Sequence, residues 1–187
     1  MRSSMPAIDL RQPWRSFLQG LDELLDAPVD LHCLGGFVVS EIFGLTRATA
    51  DIDVLVVKSQ DARRLGALAG RGSALSRTHG VYLDVVSVAQ VPVNYEGRLV
   101  DCAVPGLRRV HLRALERHDL ALAKLTRNLD RDIEDVKKLA TGPGLDVAEL
   151  RRRYLSELRP NLGRPEREDL TLDLWIEIID ELGGTRP

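Results

Sequence analysis

The feature that most constrains this chain is a pair of carboxylates at the head of an apolar run, Asp51-Ile52-Asp53-Val54-Leu55-Val56-Val57. Alternation passing into a continuous apolar tail predicts a β-strand. Side chains leave a strand on opposite faces with a period of two, so Asp51 and Asp53 share one face while Ile52 and Val54 enter a core. Two carboxylates held side by side repel, and one takes up a proton unless a cation sits between them. Oxygen donors of this kind suit magnesium or manganese.

Two other stretches belong with this strand. Val81-Tyr82-Leu83-Asp84-Val85-Val86-Ser87-Val88 is β-rich with one acid in an apolar setting. A buried charge needs a partner, and a strand laid beside 51–57 would supply it through a shared metal, with Asp84 as third ligand. Upstream, Leu31-His32-Cys33-Leu34 reads as a short strand that turns at Gly35-Gly36 into a helix over about 37–44. Glycine lets backbone approach a ligand closely, and a helix start offers unpaired N–H groups to an anion such as a triphosphate. A double glycine alone is usually a turn, and Asp-x-Asp alone is usually a structural pair. Their order, the helix between them, Arg47 and Thr49 before the acids, and Asp84 in a later strand make coincidence a poor explanation. Three readings of Arg47 stay open: a phosphate contact, a counter-charge to the acids, or a cap on the preceding helix. Thr49 is expected to organise the loop through its hydroxyl.

The pattern Leu34-Gly35-Gly36, then Arg47-Ala48-Thr49-Ala50-Asp51-Ile52-Asp53-Val54-Leu55, then a lone aspartate in a later strand, resembles the DNA polymerase β-like nucleotidyltransferase superfamily. Within it the chain is similar to small bacterial nucleotidyltransferases of the DUF6036 type, related to the AbiEii-like toxin enzymes. The resemblance continues through His118-Asp119-Leu120-Ala121-Leu122-Ala123-Lys124-Leu125 to Arg127, Arg131, Asp132 and Asp135, and so covers roughly residues 30–140. It implies an α/β (α+β) nucleotidyltransferase fold, a mixed twisted sheet flanked by helices. Residues 1–112 would form the core with an N-terminal helix, and residues 113–187 a C-terminal helical region packed on it. It further implies two magnesium ions, or manganese in their place, on Asp51, Asp53 and Asp84, and a nucleoside triphosphate as substrate. Gly35 and Gly36 would take its phosphates, with Arg47, Thr49, Lys124 and Arg127 as further nucleotide ligands. Relatives often have glycine-serine where this chain has Gly35-Gly36, so contact there would be through backbone. The acceptor hydroxyl would belong to a tRNA end, a protein or a small molecule, in a toxin-antitoxin setting.

The rest of the chain frames this site. After a loose polar lead-in over residues 1–12, Trp14, Phe17, Leu18, Leu21, Leu24 and Leu25 recur at helical spacing up to Asp26-Ala27-Pro28. A second helix begins at Ser59. Residues 75–78 and 81–88 read as a hairpin about His79-Gly80, and 98–104 with 108–112 as a strand pair about Pro105-Gly106. From Glu116 the chain is helical. Lys124 and Arg127, three apart, either reach one anion together or belong to an ion-paired solvent face, with Asp132 and Asp135 ordering them. Helices over about 146–158 and 168–182 follow. The last is more apolar than one packing face needs, and would cover the catalytic unit or a partner such as a second copy or a cognate antitoxin.

Composition narrows the class. At 187 residues the chain suits one domain, or a core with a helical appendage, and 44% hydrophobic with 29% charged residues argues against disorder. A net charge of -2 offers no basic field for nucleic acid, and Arg151-Arg152-Arg153 reads as a solvated helix face. Aromatic content of 4% leaves little surface for stacking single-stranded bases. No apolar run approaches the ~20 residues of a membrane helix. Cys33 and Cys102 form no paired motif and follow no signal-like start, which points to a reducing cytoplasm. The alternative to an enzyme is a catalytically silent nucleotide- or partner-binding module.

Overall fold

Alternating apolar residues assemble a five-stranded mixed sheet: β1 (Val29–Leu34), β2 (Asp51–Leu55), β3 (Tyr82–Val85), β4 (Val100–Cys102) and β5 (Val110–Ala114), in the order β3-β2-β1-β5-β4. The structure is a computed structural model and describes residues 7–45, 48–55, 59–86, 89–142 and 145–184. The chain divides into two compact units, one of residues up to 88 with 99–115, the other of 89–98 with 116 onwards. The sheet belongs to the first, and the mixed α/β architecture is the expected one.

Strand β1 runs antiparallel to β2 and parallel to β5, β2 parallel to β3, and β4 antiparallel to β5. Register sorts the side chains. Leu83, Ile52, Val54, Leu31, Cys33, Leu112 and Ala114 lie on one face and are buried. The other face carries Tyr82, Asp84, Asp51, Asp53, His32, Asp30, His111, Arg113 and Asp101. Helix α1 (Trp14–Leu24) buries Trp14, Phe17, Leu18 and Leu21. Its Asp22 carboxylate accepts from the N–H groups of Arg108, Arg109 and Val110 at 2.9, 2.6 and 2.7 Å, latching the helix to the start of β5.

Two expectations for the first unit need correction. Residues 74–79 are not a strand of a hairpin but helix α4 (Ala74–His79), after α3 (Ser59–Ala69). Ser73 caps α4 by accepting from the Ser76 N–H at 3.0 Å, and Gly80 ends it at φ +72°. β3 therefore reaches β2 in parallel through a helical crossover, as parallel strands require. Residues 8–11 of the lead-in are also less loose than their composition implies, because tertiary contacts hold them; residues 1–6 lie outside the described residues. Leu10 is buried, Ile8 donates to the Ala103 carbonyl at 2.8 Å, and Arg11 pairs with Glu41 at 2.5 Å.

The second unit holds α5 (Arg117–Leu125), α6 (Asp130–Thr141), α7 (Val147–Arg153), which continues into a π turn over Tyr154–Leu158, and α8 (Glu166–Gly184). Leu122, Leu125, Val136, Leu150, Tyr154 and Trp175 form its core. Arg153 corrects the reading of its triplet as a solvated face. It is buried, and donates to Glu116, to Asp119 at 3.0 Å and to Glu149 at 2.6 Å. Arg98 grips Asp119 from the other side at 2.8 and 3.0 Å and reaches Glu157 at 2.7 Å.

Candidate functional site

The parallel β2–β3 ladder sets Asp51 opposite Tyr82 and Asp53 opposite Asp84. Ile52 and Leu83, in register between them, are buried, so the three acids emerge on the opposite face. Adjacent strands lie about 4.8 Å apart, which makes these side chains neighbours. Asp51 and Asp53 are half-buried and Asp84 is exposed.

The glycine turn meets this face directly. Leu34 at the end of β1 pairs with Asp53. The next residue, Gly35, has φ +72°, and a β-carbon on it would fall 1.8 Å from Asp53 Oδ2. Only glycine fits, for both backbone and space. Gly36 follows, buried, in the short helix α2 (Gly35–Phe37), which widens into a π turn over Val38–Ile42 where the Phe43 N–H reaches the Val38 carbonyl at 3.0 Å. Such π turns recur at functional sites.

Asp51 is held at both oxygens. Thr49 Oγ1 donates to Oδ1 at 2.7 Å and the Tyr82 hydroxyl to Oδ2 at 3.2 Å. Arg71 lies over the Tyr82 ring, 4.4 Å from its centroid, and donates to the same hydroxyl. Thr49 thus addresses an acid rather than only its loop. Tyr82, which reads from sequence as a packing residue, is a polar neighbour of the site. The signal for it was the repeated spacing: Tyr82-Leu83-Asp84 matches Asp51-Ile52-Asp53, and becomes informative only once the strands are known to run side by side.

Among the described residues, no three His, Cys, Asp or Glu side chains are gathered into a ready metal cage. The donor chemistry nevertheless fits a hard divalent cation: three carboxylates share a face, beside a turn left open by a missing β-carbon. Burial pushes both cysteine thiols up, Cys102 to about 11, so neither supplies a thiolate nucleophile. Arg47 lies outside the described residues.

A family model described as "Nucleotidyltransferase of unknown function (DUF6036)" matches residues 26–181. The chain belongs to that family. Searches of curated proteins and of solved structures each return no match. The region shared with DUF6036 takes in the glycine turn, all three acids and most of the second unit. No helix among the described residues is long and apolar enough to cross a membrane.

Two further candidates in this DUF6036 chain, Lys124 and Arg127, lie in the second unit. Lys124 is 2% exposed, and its ammonium donates to Asp135 at 2.8 Å and Asp132 at 3.5 Å. Arg127, 39% exposed, donates to Asp132 at 2.9 and 2.5 Å. Burial pushes the Asp132 carboxyl up. The Arg127 hydrogen bonds, the Leu129 N–H and the Lys124 charge together outweigh it and hold the group below its usual range. Asp132 and Asp135 thus order the two bases.

Proposed function

We propose that this chain moves a nucleoside monophosphate from a nucleoside triphosphate to an acceptor hydroxyl on the polar face of β2 and β3. The observation that carries this reading is the approach of Asp53 to Gly35, where a β-carbon would fall 1.8 Å from the carboxylate. It sets the glycine turn against Asp53, which supports reading the two motifs as one site, where either alone is commonplace. Membership of the DUF6036 family supports the reaction class.

In this mechanism Asp51, Asp53 and Asp84 would hold two magnesium ions, with manganese as the substitute. When bound, the metal neutralises phosphate charge and polarises the α-phosphate. Gly35 and Gly36 present backbone N–H groups to the phosphates. Thr49 and Tyr82 fix the orientation of Asp51 without cancelling its charge. Asp84, the exposed acid of the three, takes the acceptor's proton as the acceptor oxygen bonds to the α-phosphorus. The bond from that phosphorus to the bridging oxygen breaks, and pyrophosphate leaves with the electron pair. The burial of Lys124 supports a structural part for it, balancing Asp132 and Asp135.

The experiment is to incubate the purified chain with each α-labelled nucleoside triphosphate, magnesium and a total cell lysate. Label is expected on one acceptor, whose nature as tRNA, protein or small molecule also tests a toxin-antitoxin role. Transfer by Asp51→Asn/Asp53→Asn at the wild-type rate would sink the mechanism. Magnesium-dependent nucleotide binding without transfer would leave a silent binding module.

A further inference from the structure

Helix α8 has two apolar faces, and only one is used in the second unit. Leu172, Trp175, Ile176 and Ile179 are buried in its core. Leu170, Leu174, Ile178 and Leu182 recur every fourth residue on another side. Leu170 is 73% and Leu174 52% exposed, Leu182 is exposed and Ile178 half-buried. At the C-terminal half of this row Ile178, Glu181 and Leu182, with Lys137 of α6, line an open cavity of about 360 Å³.

A second row runs alongside. Asp173, Glu177 and Glu181 each lie three residues beyond a member of the apolar row and four from one another. Like charges at that spacing oppose each other on a helix. Asp173 has Arg151 at 2.9 Å and Lys137 lines the cavity beside Glu181, while α8 itself carries seven acidic residues against Arg167 as its one base, so the helix is acidic along its length. An exposed leucine row and a like-charge row each disfavour an isolated helix. One partner relieves both: a helix with an apolar stripe and basic flanks, the seam-and-flank pattern by which helices pair.

We propose that this face of α8 docks a basic amphipathic helix of a partner protein. The partner's apolar side chains lie along Leu170 and Leu174 and enter the cavity at Ile178 and Leu182, while its lysines or arginines meet Asp173 and Glu177 on the exposed flank. A second copy meeting this face through its own α8 fits less well, because that helix brings another acidic row with Arg167 as its one base. An anionic lipid surface is repelled by the same charges.

The test uses the full chain and a dye-labelled synthetic helix with leucines at alternating three- and four-residue spacing and flanking lysines, read by fluorescence anisotropy at physiological salt. Micromolar binding is expected, weakened at least about tenfold by Leu170→Ser/Leu174→Ser and about threefold by Glu177→Lys. All three positions are exposed, so unchanged melting of the variants separates lost docking from lost folding. Equal binding of a scrambled peptide, or of one with glutamate for lysine, overturns the proposal, as does no binding below about 100 μM. So does wild-type dimerisation in light scattering that the double leucine change abolishes, which makes a second copy the occupant. Binding to phosphatidylserine–phosphatidylcholine vesicles that the same change abolishes overturns it too, in favour of a membrane.

Discussion

Asp51 in the first unit and Asp132 in the second are both drawn back from bulk water, and they are answered in opposite ways. Asp132, fully buried, receives a guanidinium, an ammonium and a backbone N–H. Asp51 receives two neutral hydroxyls, from Thr49 and Tyr82. Fixed cations consume a carboxylate's charge and turn it into structure. Hydroxyls orient a carboxylate and leave its charge in place for a mobile cation, as outer-shell partners of metal ligands do. Charged residues in the two units therefore look alike in sequence and are answered by different partners in space.

The comparison is open to attack, and the largest effect comes first. Asp51→Asn/Asp53→Asn should lower nucleotide transfer by about a thousandfold or more, while calorimetry finds the melting temperature unchanged or raised as the repulsion is relieved. A collapse of the fold instead would place these acids with Asp132. Conversely, Lys124→Met should cost the second unit about 3 kcal/mol or more in urea unfolding, because Asp132 and Asp135 lose a buried counter-charge.

Gly35→Ala, by driving a β-carbon into Asp53, should reduce transfer by about a hundredfold, roughly the strain of a non-glycine residue forced into this turn. Wild-type activity in that variant would separate the glycine turn from the acids. Tyr82→Phe keeps the ring under Arg71 and removes only the hydroxyl. It should weaken manganese binding, followed by the spin-resonance signal of the free ion, by about tenfold with the melting temperature unmoved. Unaltered affinity would make Tyr82 a packing residue after all.

The smallest effect is on pH dependence. Glu116 resembles Asp132: burial pushes its carboxyl up, but the His118 hydrogen bonds and the Arg153 charge hold it below its usual range. A depressed native pKa means that the unfolded chain binds protons first as pH falls. The stabilisation is complete above about pH 5 and drains away below about pH 4 as the native groups titrate. Asp132→Asn should flatten that acid limb in pH-dependent unfolding, and an acid limb as steep as that of the wild-type chain would remove Asp132 from the account.

What could be read in advance follows the range of each interaction. The strand of Asp51 and Asp53, the shared face of the pair, and Gly35 as a site of close approach all rest on a period of two and on a missing β-carbon. The neighbouring position of Asp84 was legible too, but not the route to it. The β-propensity of 75–88 suggested a hairpin, and the caps Ser73 and Gly80 won locally by closing a helix. Tyr82 escaped because its meaning depends on register with Asp51. Arg153 escaped because Glu116, Asp119 and Glu149 converge on it from α7 itself and from the start of α5.

The amino-acid sequence by itself determined which residues of Asp51–Leu55 share a strand face, that the chain bends at Gly35, and that it resembles the nucleotidyltransferase family its residues 26–181 match. These are properties of neighbours along the chain, set by backbone geometry. Only the tertiary structure decided which acids keep their charge and which surrender it to arginine or lysine. A counter-charge is chosen by distance in space, and the same aspartate in the same local sequence accepts a hydroxyl or a guanidinium according to which element is packed beside it.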